Sequence, residues 1–216
     1  MTSINNQIIY LRDLIRAASL DRLQKREFGG KSPYHGERIW IDTEKCTMAS
    51  KHDFSRRKSG VVMDGEWDTL QVPLVKLPKI AYCMRHWQDG LSWEEAGAYQ
   101  YMLELIQQVG RVDGCKNIDQ IISRYAKLDN IFLTVRSEKR LRVSQKAKGL
   151  AFRECGGIYI HIARDGTPLF GGAGHHRLAI AKALKCSHFP AQLGVVHIDA
   201  LPKLLELRKS PFSSDL

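Results

Sequence analysis

The residues with the clearest chemical potential lie in segment 171–177, which reads GGAGHHR and stands directly before the helix-forming run LAIAKAL. A glycine-rich turn followed by a helix can bind an anion, because the first helical amides lack intrahelical partners and the helix dipole adds partial positive charge there. Gly172 and Gly174 would let a phosphate group come close to the backbone. The segment therefore predicts a phosphate-binding turn, with a purely structural tight turn as the alternative.

The side chains of the same segment fit such a ligand. Arg177 offers a forked pair of donors that matches phosphate oxygens. His175 and His176 can donate hydrogen bonds, transfer a proton or bind a metal, so His175 is also a candidate catalytic group. The glycine spacing matches neither the P-loop nor the dinucleotide fingerprint, and the residues alone leave the reaction open.

A second group of candidate residues lies in segment 61–68, VVMDGEWD, where Asp64, Glu66 and Asp68 alternate with other residues. If the segment is extended, the three carboxylates project to the same side. They could then accept a substrate proton or help to hold Mg²⁺ beside phosphates. The alternative is a polar turn around a buried Trp67.

The charge of the chain favours polyanionic partners. Its formal net charge is +10 over 216 residues, and 44% of the residues are hydrophobic, as in ordinary globular proteins. The basic residues cluster in segment 136–153, where Glu138 is the one acidic residue among Arg136, Lys139, Arg140, Arg142, Lys146, Lys148 and Arg153. This segment predicts a phosphate or nucleic-acid contact, with a solvated helix face as the alternative.

Other features bear on the compartment. No stretch is long and apolar enough to span a bilayer, and the first residues lack a basic region leading into an apolar one. The five cysteines form no C-x-x-C pair, which argues against both a disulfide framework and a zinc site. We therefore expect a cytoplasmic protein without a membrane partner.

The run LFGGAGHHRLAIAKAL follows a hairpin with an Asp-Gly turn and precedes FPAQLGVVH, and this arrangement resembles the core of the ParB/sulfiredoxin superfamily. ParB-like domains have a glycine–acid–Arg–Arg type box at this point. Other members have Asp-Gly-His-His-Arg, and sulfiredoxins have Phe-Gly-Gly-Cys-His-Arg. In this chain Gly174, His175, His176 and Arg177 fall on the box, and the resemblance covers about residues 137–200.

The resemblance implies roles for these residues. Gly174 would be the close-approach glycine, and His176 and Arg177 would contact nucleotide phosphates. His175 stands where sulfiredoxins have their reactive cysteine, so reduction of sulfinic acid is not expected. Ala173 replaces the aspartate of the Asp-Gly-His-His-Arg kinases, which bind nucleotide at the box and use an acidic side chain as base.

Local patterns predict the elements that position these residues. Helices are expected over 4–27, 92–110, from Asn117 to about Leu128, over 137–148 and from Asp199 to Arg208. Strands are expected at 37–42, at 61–63, in a hairpin over 158–170, and at 189–197 before the final helix, while 175–184 should be helical.

Together these patterns predict an α+β fold. We expect a ParB/sulfiredoxin-like core, a small mixed sheet with helices, from 37–70 and 134–208. A helical insertion would occupy 71–133, and an N-terminal helix and loop 1–36.

Three functional interpretations follow. The favoured one is a nucleotide-binding protein, a Mg²⁺-dependent phosphotransferase (kinase) or nucleotide hydrolase that takes ATP or another nucleotide, with Asp64, Glu66 or Asp68 as base. The alternative is a ParB-like DNA-binding protein or nuclease, which the basic charge favours. The third is an adaptor in which the box only builds the fold, as the alanine at position 173 suggests.

Overall fold

The computed structural model describes residues 2–144, 152–154 and 156–212 of the chain. Within these residues the chain forms a mixed sheet of seven strands and six α-helices. The predicted α+β class is therefore confirmed.

The strands are β1 (Arg38–Asp42), β2 (Met48–Ser50), β3 (Val62–Met63), β4 (Gln71–Pro73), β5 (Ile158–Ile162), β6 (Pro168–Phe170) and β7 (His188–His197). The helices are α1 (Thr2–Phe28), α2 (Pro78–Asp89), α3 (Ala98–Val109), α4 (Ile118–Glu138), α5 (His175–Ala183) and α6 (Leu204–Leu207).

The sheet is built around β7. Its strand order is β1–β7–β5–β6–β2–β4, and β3 also pairs with β7. β7 lies antiparallel to β1 and parallel to both β3 and β5, whereas β5 and β6 form an antiparallel hairpin. Every residue of β7 after His188 is buried, which makes this strand the centre of the core.

The two faces of the sheet carry different layers. Alternate side chains of a strand point to opposite faces, and in β5 Ile158, Ile160 and Ile162 share one hydrophobic core with side chains of helices α2 to α5. The opposite face holds a smaller cluster that includes Trp67, and the ring of His161 packs edge to face against Trp67 there. α5 and the turn around Trp67 therefore lie on opposite faces.

Most strand predictions are confirmed. β1 lies within 37–42, β3 within 61–63, β5 and β6 form the hairpin around the Asp-Gly turn, and β7 covers the predicted closing strand. β2 and β4 were not predicted, because strands of three residues are too short for alternation to be recognised, and β4 lies at the start of the predicted helical insertion.

The predicted helix at 92–110 begins later than expected. Ser92 and Glu95 do exchange the hydrogen bonds of a capping box, Ser92 N–H to Glu95 Oε2 at 2.9 Å and Glu95 N–H to Ser92 Oγ at 3.2 Å. They close only a turn, because Gly97 follows with φ +82° and α3 starts at Ala98. Gly110 ends the helix in the left-handed conformation, as predicted.

Asn117 caps α4 as predicted, since its Oδ1 accepts the N–H of Gln120 at 3.1 Å. The helix continues past Leu128 to Glu138. The prediction of a separate helix over 137–148 is wrong for 139–144, because Lys139 takes φ +57° and ends α4 there. Residues 145–148 lie outside the described residues.

Two other helix predictions need correction. α2 was missed, although Pro78 occupies its first turn, where proline is favoured. Asp199 does not cap a helix; instead the His197 side chain accepts the N–H of Asp199 at 3.3 Å, and a 3₁₀ segment, Ile198–Lys203, precedes α6.

Helices α2 and α3 fall within the predicted insertion, and α4 begins within it but continues past residue 133 to Glu138. These helices pack on the face of the sheet that carries Ile158, Ile160 and Ile162, through the shared hydrophobic core. α2 lies directly against α5. The division into core and insertion stays a prediction.

Gly172 and Gly174, in the turn before α5, both have positive φ but differ in how closely they approach β5, which gives a test of that close approach. Gly174 has φ +91°, and a Cβ at this position would lie 2.7 Å from Cα of Ile158 in β5. Gly172 has φ +80°, but a Cβ there would meet nothing within 4 Å. We expect Gly174→Ala to lower the free energy of unfolding by about 3 kcal/mol and Gly172→Ala by about 1 kcal/mol, measured by urea unfolding. Equal costs would contradict the close contact with β5.

Candidate functional site

The box lies at the first turn of α5. Gly174 is the N-cap residue, and no side chain of the described residues caps the helix. The amides of His175, His176 and Arg177 are therefore the first-turn donors, which a helix itself cannot satisfy. The close approach that Gly174 permits is to the β5 backbone, since Gly157 O and Ile158 lie where its Cβ would be. This glycine thus sets the turn against the sheet.

A cavity of about 240 Å³ opens at this turn. Its lining combines the box residues Gly174, His175, His176 and Arg177 with Lys79 of α2, Asp113, and Arg124 and Leu128 of α4. The cationic side chains of Lys79, Arg124 and Arg177 thus come from three different helices. Such a convergence of cations at an uncapped helix N-terminus is the arrangement that binds anions.

The side chain of Arg177 is held by a hydrogen bond to the segment that follows α4. Its Nη2 donates a hydrogen bond to the carbonyl of Arg142, in the segment that follows α4. Burial lowers the pKa of the guanidinium, and the charge of Glu154 opposes that shift. Nε is buried without a hydrogen-bond partner in the described part of the chain. The fold therefore fixes the orientation of this side chain.

His176 is part of an aromatic cluster. It is 9% exposed, its Nε2 lies 3.4 Å from the hydroxyl of Tyr82, and its ring packs edge to face on Tyr125. The two tyrosine hydroxyls lie 2.6 Å apart. Burial lowers the pKa of His176 to about 4, although the charge of Asp113 acts in the opposite direction. The ring is therefore neutral at pH 7 and can donate at most one hydrogen bond.

His175 points along the other side of the turn. Its ring packs edge to face against Phe170 at the end of β6. Burial, together with the charge of Lys79, lowers the pKa of His175 to about 4. A neutral imidazole beside cations can accept a proton only weakly, so the positive charge of the cavity comes from Lys79, Arg124 and Arg177.

Asp113 contributes one negative charge. Its Oδ2 accepts a hydrogen bond from Lys79 Nζ at 2.5 Å. Burial raises the pKa of Asp113, but the hydrogen bond and charge of Lys79 outweigh burial and leave the pKa below its ordinary value. The carboxylate is therefore ionised at neutral pH, and three cations in the cavity lining face this single anion.

The three predicted acidic residues do not join this cavity. Asp68 is buried and accepts from Arg164 Nη2 at 2.7 Å, which holds the pKa of Asp68 to about 2. Glu66 accepts from the same guanidinium at 3.1 Å, and Asp64 is largely exposed. The strand ends at Met63 and the residues that follow form a turn, so the alternation of an extended strand does not place the three carboxylates together; Glu66 and Asp68 converge on Arg164 instead.

Distance also separates this turn from the box. Arg164, the partner of Asp68, follows the C-terminal end of β5, whereas Tyr159 near its start binds the carbonyl of Ala173 through its N–H at 2.9 Å. Five strand residues span about 16 Å. The acidic turn also lies on the opposite sheet face, with Trp67. The structure thus places Asp64, Glu66 and Asp68 away from the box.

The sequence-based interpretation missed Lys79, Asp113 and Arg124. Each lies between 53 and 98 positions before Arg177, in the predicted insertion, and no local pattern ties them to the box. Pro78 signals the start of the helix that positions Lys79, and the Asp113-Gly114 dipeptide signals a tight turn. Their convergence depends on the packing of α2 and α4 against α5.

The basic segment 136–153 is only partly free in the described residues. Arg153 donates to Asp21 at 2.7 Å, and Arg142 donates to Glu138 through Nε at 2.8 Å. Arg136 and Lys139 are exposed, while Lys146 and Lys148 lie outside the described residues. Two of the arginines in this segment are therefore already paired with carboxylates, and fewer of its cations face solvent unpaired than the composition suggests.

Comparison with family models, with curated proteins and with solved structures finds no significant match to the chain. Among the described residues, no helix is long and apolar enough to cross a membrane. The same residues contain no group of three or more His, Cys, Asp and Glu side chains arranged to hold a metal ion. The cationic cavity is therefore the feature of the described residues that bears most directly on function.

The buried histidines predict a pH dependence of stability. Burial lowers the pKa of His161, His175 and His176 to about 4, below the ordinary value of 6.5. Between pH 4 and pH 6.5 the unfolded chain binds more protons than the folded chain. The contribution of these neutral histidines to the free energy of unfolding is therefore fully present above pH 6.5 and is lost as the pH falls toward 4. For fully buried His161 the contribution is about 3 kcal/mol.

Urea unfolding between pH 7 and pH 4.5 measures this dependence. We expect the free energy of unfolding to fall, and the His161→Gln variant to fall less steeply because one titrating group is gone. An identical slope in both proteins would show that His161 does not stay neutral in the folded chain.

Proposed function

We propose that the chain binds a nucleoside triphosphate with its phosphates in the cavity at α5, and that it transfers or hydrolyses the terminal phosphoryl group. The observation that carries the proposal is the convergence of Lys79, Arg124 and Arg177 on the uncapped first turn of α5. Cations and amide donors fixed by the fold need no rearrangement when an anion arrives.

The charges in the cavity favour a polyphosphate over a monoanion. Three cations face one carboxylate, and the first-turn amides of α5 add partial positive charge. Lys79 and Arg177 are both largely removed from solvent, which weakens screening and strengthens their attraction for phosphate. A ligand with several phosphate charges uses all of these groups at once.

Phosphoryl transfer is the reaction that this site supports best. Its catalysis is mostly positioning of phosphates and neutralisation of their charge, which the cavity residues can supply. Mg²⁺ would arrive on the phosphates, since the ion is usually held by substrate phosphates with one or two carboxylates. The resemblance of the Gly-His-His-Arg box to the ParB/sulfiredoxin superfamily supports the same ligand, and we propose a core of that type.

The proposal includes a cytoplasmic location. The described cysteines at positions 46, 83, 115 and 186 are unpaired and buried, which suits the reducing cytoplasm.

DNA binding by a ParB-like protein is the competing interpretation, and the net charge of +10 favours it. In the described residues Arg153 and Arg142 are engaged with carboxylates, so the nucleotide site has the stronger geometric support.

Thermal unfolding with ATP, CTP or GTP and Mg²⁺ tests the proposal. A ligand at 100 times its Kd stabilises the folded chain by about 2.7 kcal/mol, which is a measurable rise in Tm. Lys79→Gln and Arg124→Gln should each raise the Kd about 10- to 100-fold, because each removes a charge-assisted hydrogen bond to phosphate.

Lys76→Gln is the matched control, because Lys76 is exposed three residues before Lys79 and does not line the cavity. It should leave the nucleotide-dependent Tm rise unchanged. A chain that no nucleotide stabilises, but that duplex DNA stabilises in a salt-sensitive way, would contradict the proposal and favour the DNA-binding interpretation.

A further inference from the structure

A second depression adjoins the cavity at α5. It has a volume of about 670 Å³ and lies along α4, where Gln120, Ser123 and Lys127 contribute to its lining. Asp113, Arg124 and Leu128 line both spaces, so these residues mark the junction. A phosphoryl group held in the first space and a polar molecule held in the second would meet beside Asp113 and Arg124.

Asp113 is fixed at this junction by a tight turn. Val112 and Cys115 exchange backbone hydrogen bonds of 3.0 Å and 2.8 Å, and Asp113 and Gly114 between them have φ +49° and +88°. Positive φ at both central residues is the pattern of a type I′ turn. Lys79 Nζ holds one carboxylate oxygen, Oδ2, and no hydrogen bond engages Oδ1 within the described residues.

We propose that the depression along α4 receives a polar, hydroxyl-bearing acceptor, and that Asp113 is the catalytic carboxylate that takes the proton of the acceptor hydroxyl. This inference rests on the proposed phosphoryl transfer, and it assigns to Asp113 the role that the sequence suggested for Asp64, Glu66 or Asp68. Asp113 is the one carboxylate that lines the cavity among the described residues.

The proposed step balances with these groups. The acceptor oxygen bonds to the terminal phosphorus as its proton passes to Oδ1 of Asp113. The bond from that phosphorus to the bridging oxygen breaks, and its electron pair leaves on the nucleoside diphosphate. Arg124, which reaches both spaces, lies where charge on the transferred group can be neutralised. Water is the simplest acceptor for the same step.

Asp113→Asn separates the chemistry from binding and folding. Asn-Gly suits a type I′ turn as well as Asp-Gly does, so the turn is retained. The asparagine removes the proton acceptor and also the negative charge nearest the phosphates. We expect the variant to bind ATP with Mg²⁺ at least as tightly as the unaltered chain, measured by calorimetry. The rate of phosphate release from ATP should fall at least 100-fold, as for loss of a general base.

Asp89→Asn is the charge-matched control. Asp89 is exposed at the far end of α2, about 15 Å along the helix from Lys79. It should bind and hydrolyse ATP like the unaltered chain.

Four outcomes are informative. Tight binding with slow phosphate release in Asp113→Asn supports the assignment. Release within threefold of the unaltered chain overturns it and leaves nucleotide binding intact. An unaltered chain that binds ATP but releases no phosphate also overturns it. An unaltered chain that does not bind ATP overturns the proposed function itself, and the inference with it.

Discussion

The close packing of Gly174 on the backbone of β5 is the constraint on which the site depends. It holds the turn before α5 against the start of the strand, and the N–H of Tyr159 bonding to the carbonyl of Ala173 secures the same approach. This contact fixes the turn against the sheet, and the direction in which the first amide N–H groups of α5 point is therefore also fixed. The side chains of α2 and α4 can then be placed around a fixed point.

The helices that cover the box complete the site. α2 and α4 are tied to α5 through Tyr82, Tyr125 and His176, whose rings pack together beside the cavity. The same packing brings in Lys79 and Arg124 and neutralises His176 by burial. The positive charge of the site therefore depends on the helical segment as much as on the box. An isolated box would offer Arg177 and the helix amides alone.

The sequence predicted the elements whose signals are local. The hairpin around Asp165-Gly166, the cap at Asn117 and the helix after Gly174 follow from turn chemistry and periodicity, and all are present. The prediction ended α4 at about Leu128, whereas the helix continues to Glu138. The sequence gives no sign of the true end, because the residue that ends the helix in the left-handed conformation is Lys139 and not a glycine. The start of α3 moved to Ala98 because Gly97 could adopt the left-handed conformation within an otherwise helical pattern.

The site was predictable only in its local half. The box residues lie together in sequence and lie together in the cavity, whereas Lys79, Asp113 and Arg124 come from distant segments whose meeting depends on tertiary packing. The acidic turn shows the opposite error. Asp64, Glu66 and Asp68 were catalytic candidates because they alternate in the sequence, but Arg164 engages two of them on the far face of the sheet.

The most direct test of the cationic cavity is a titration of the ¹⁵N-labelled chain with ATP and Mg²⁺, followed by amide chemical shifts. A nucleotide bound as we propose shifts the amides of 174–177 and those around Asp113 and Arg124, and leaves the amides of 64–68 in place. Largest shifts in 64–68 or in 136–144, or no shifts at all, would contradict a phosphate site at the first turn of α5.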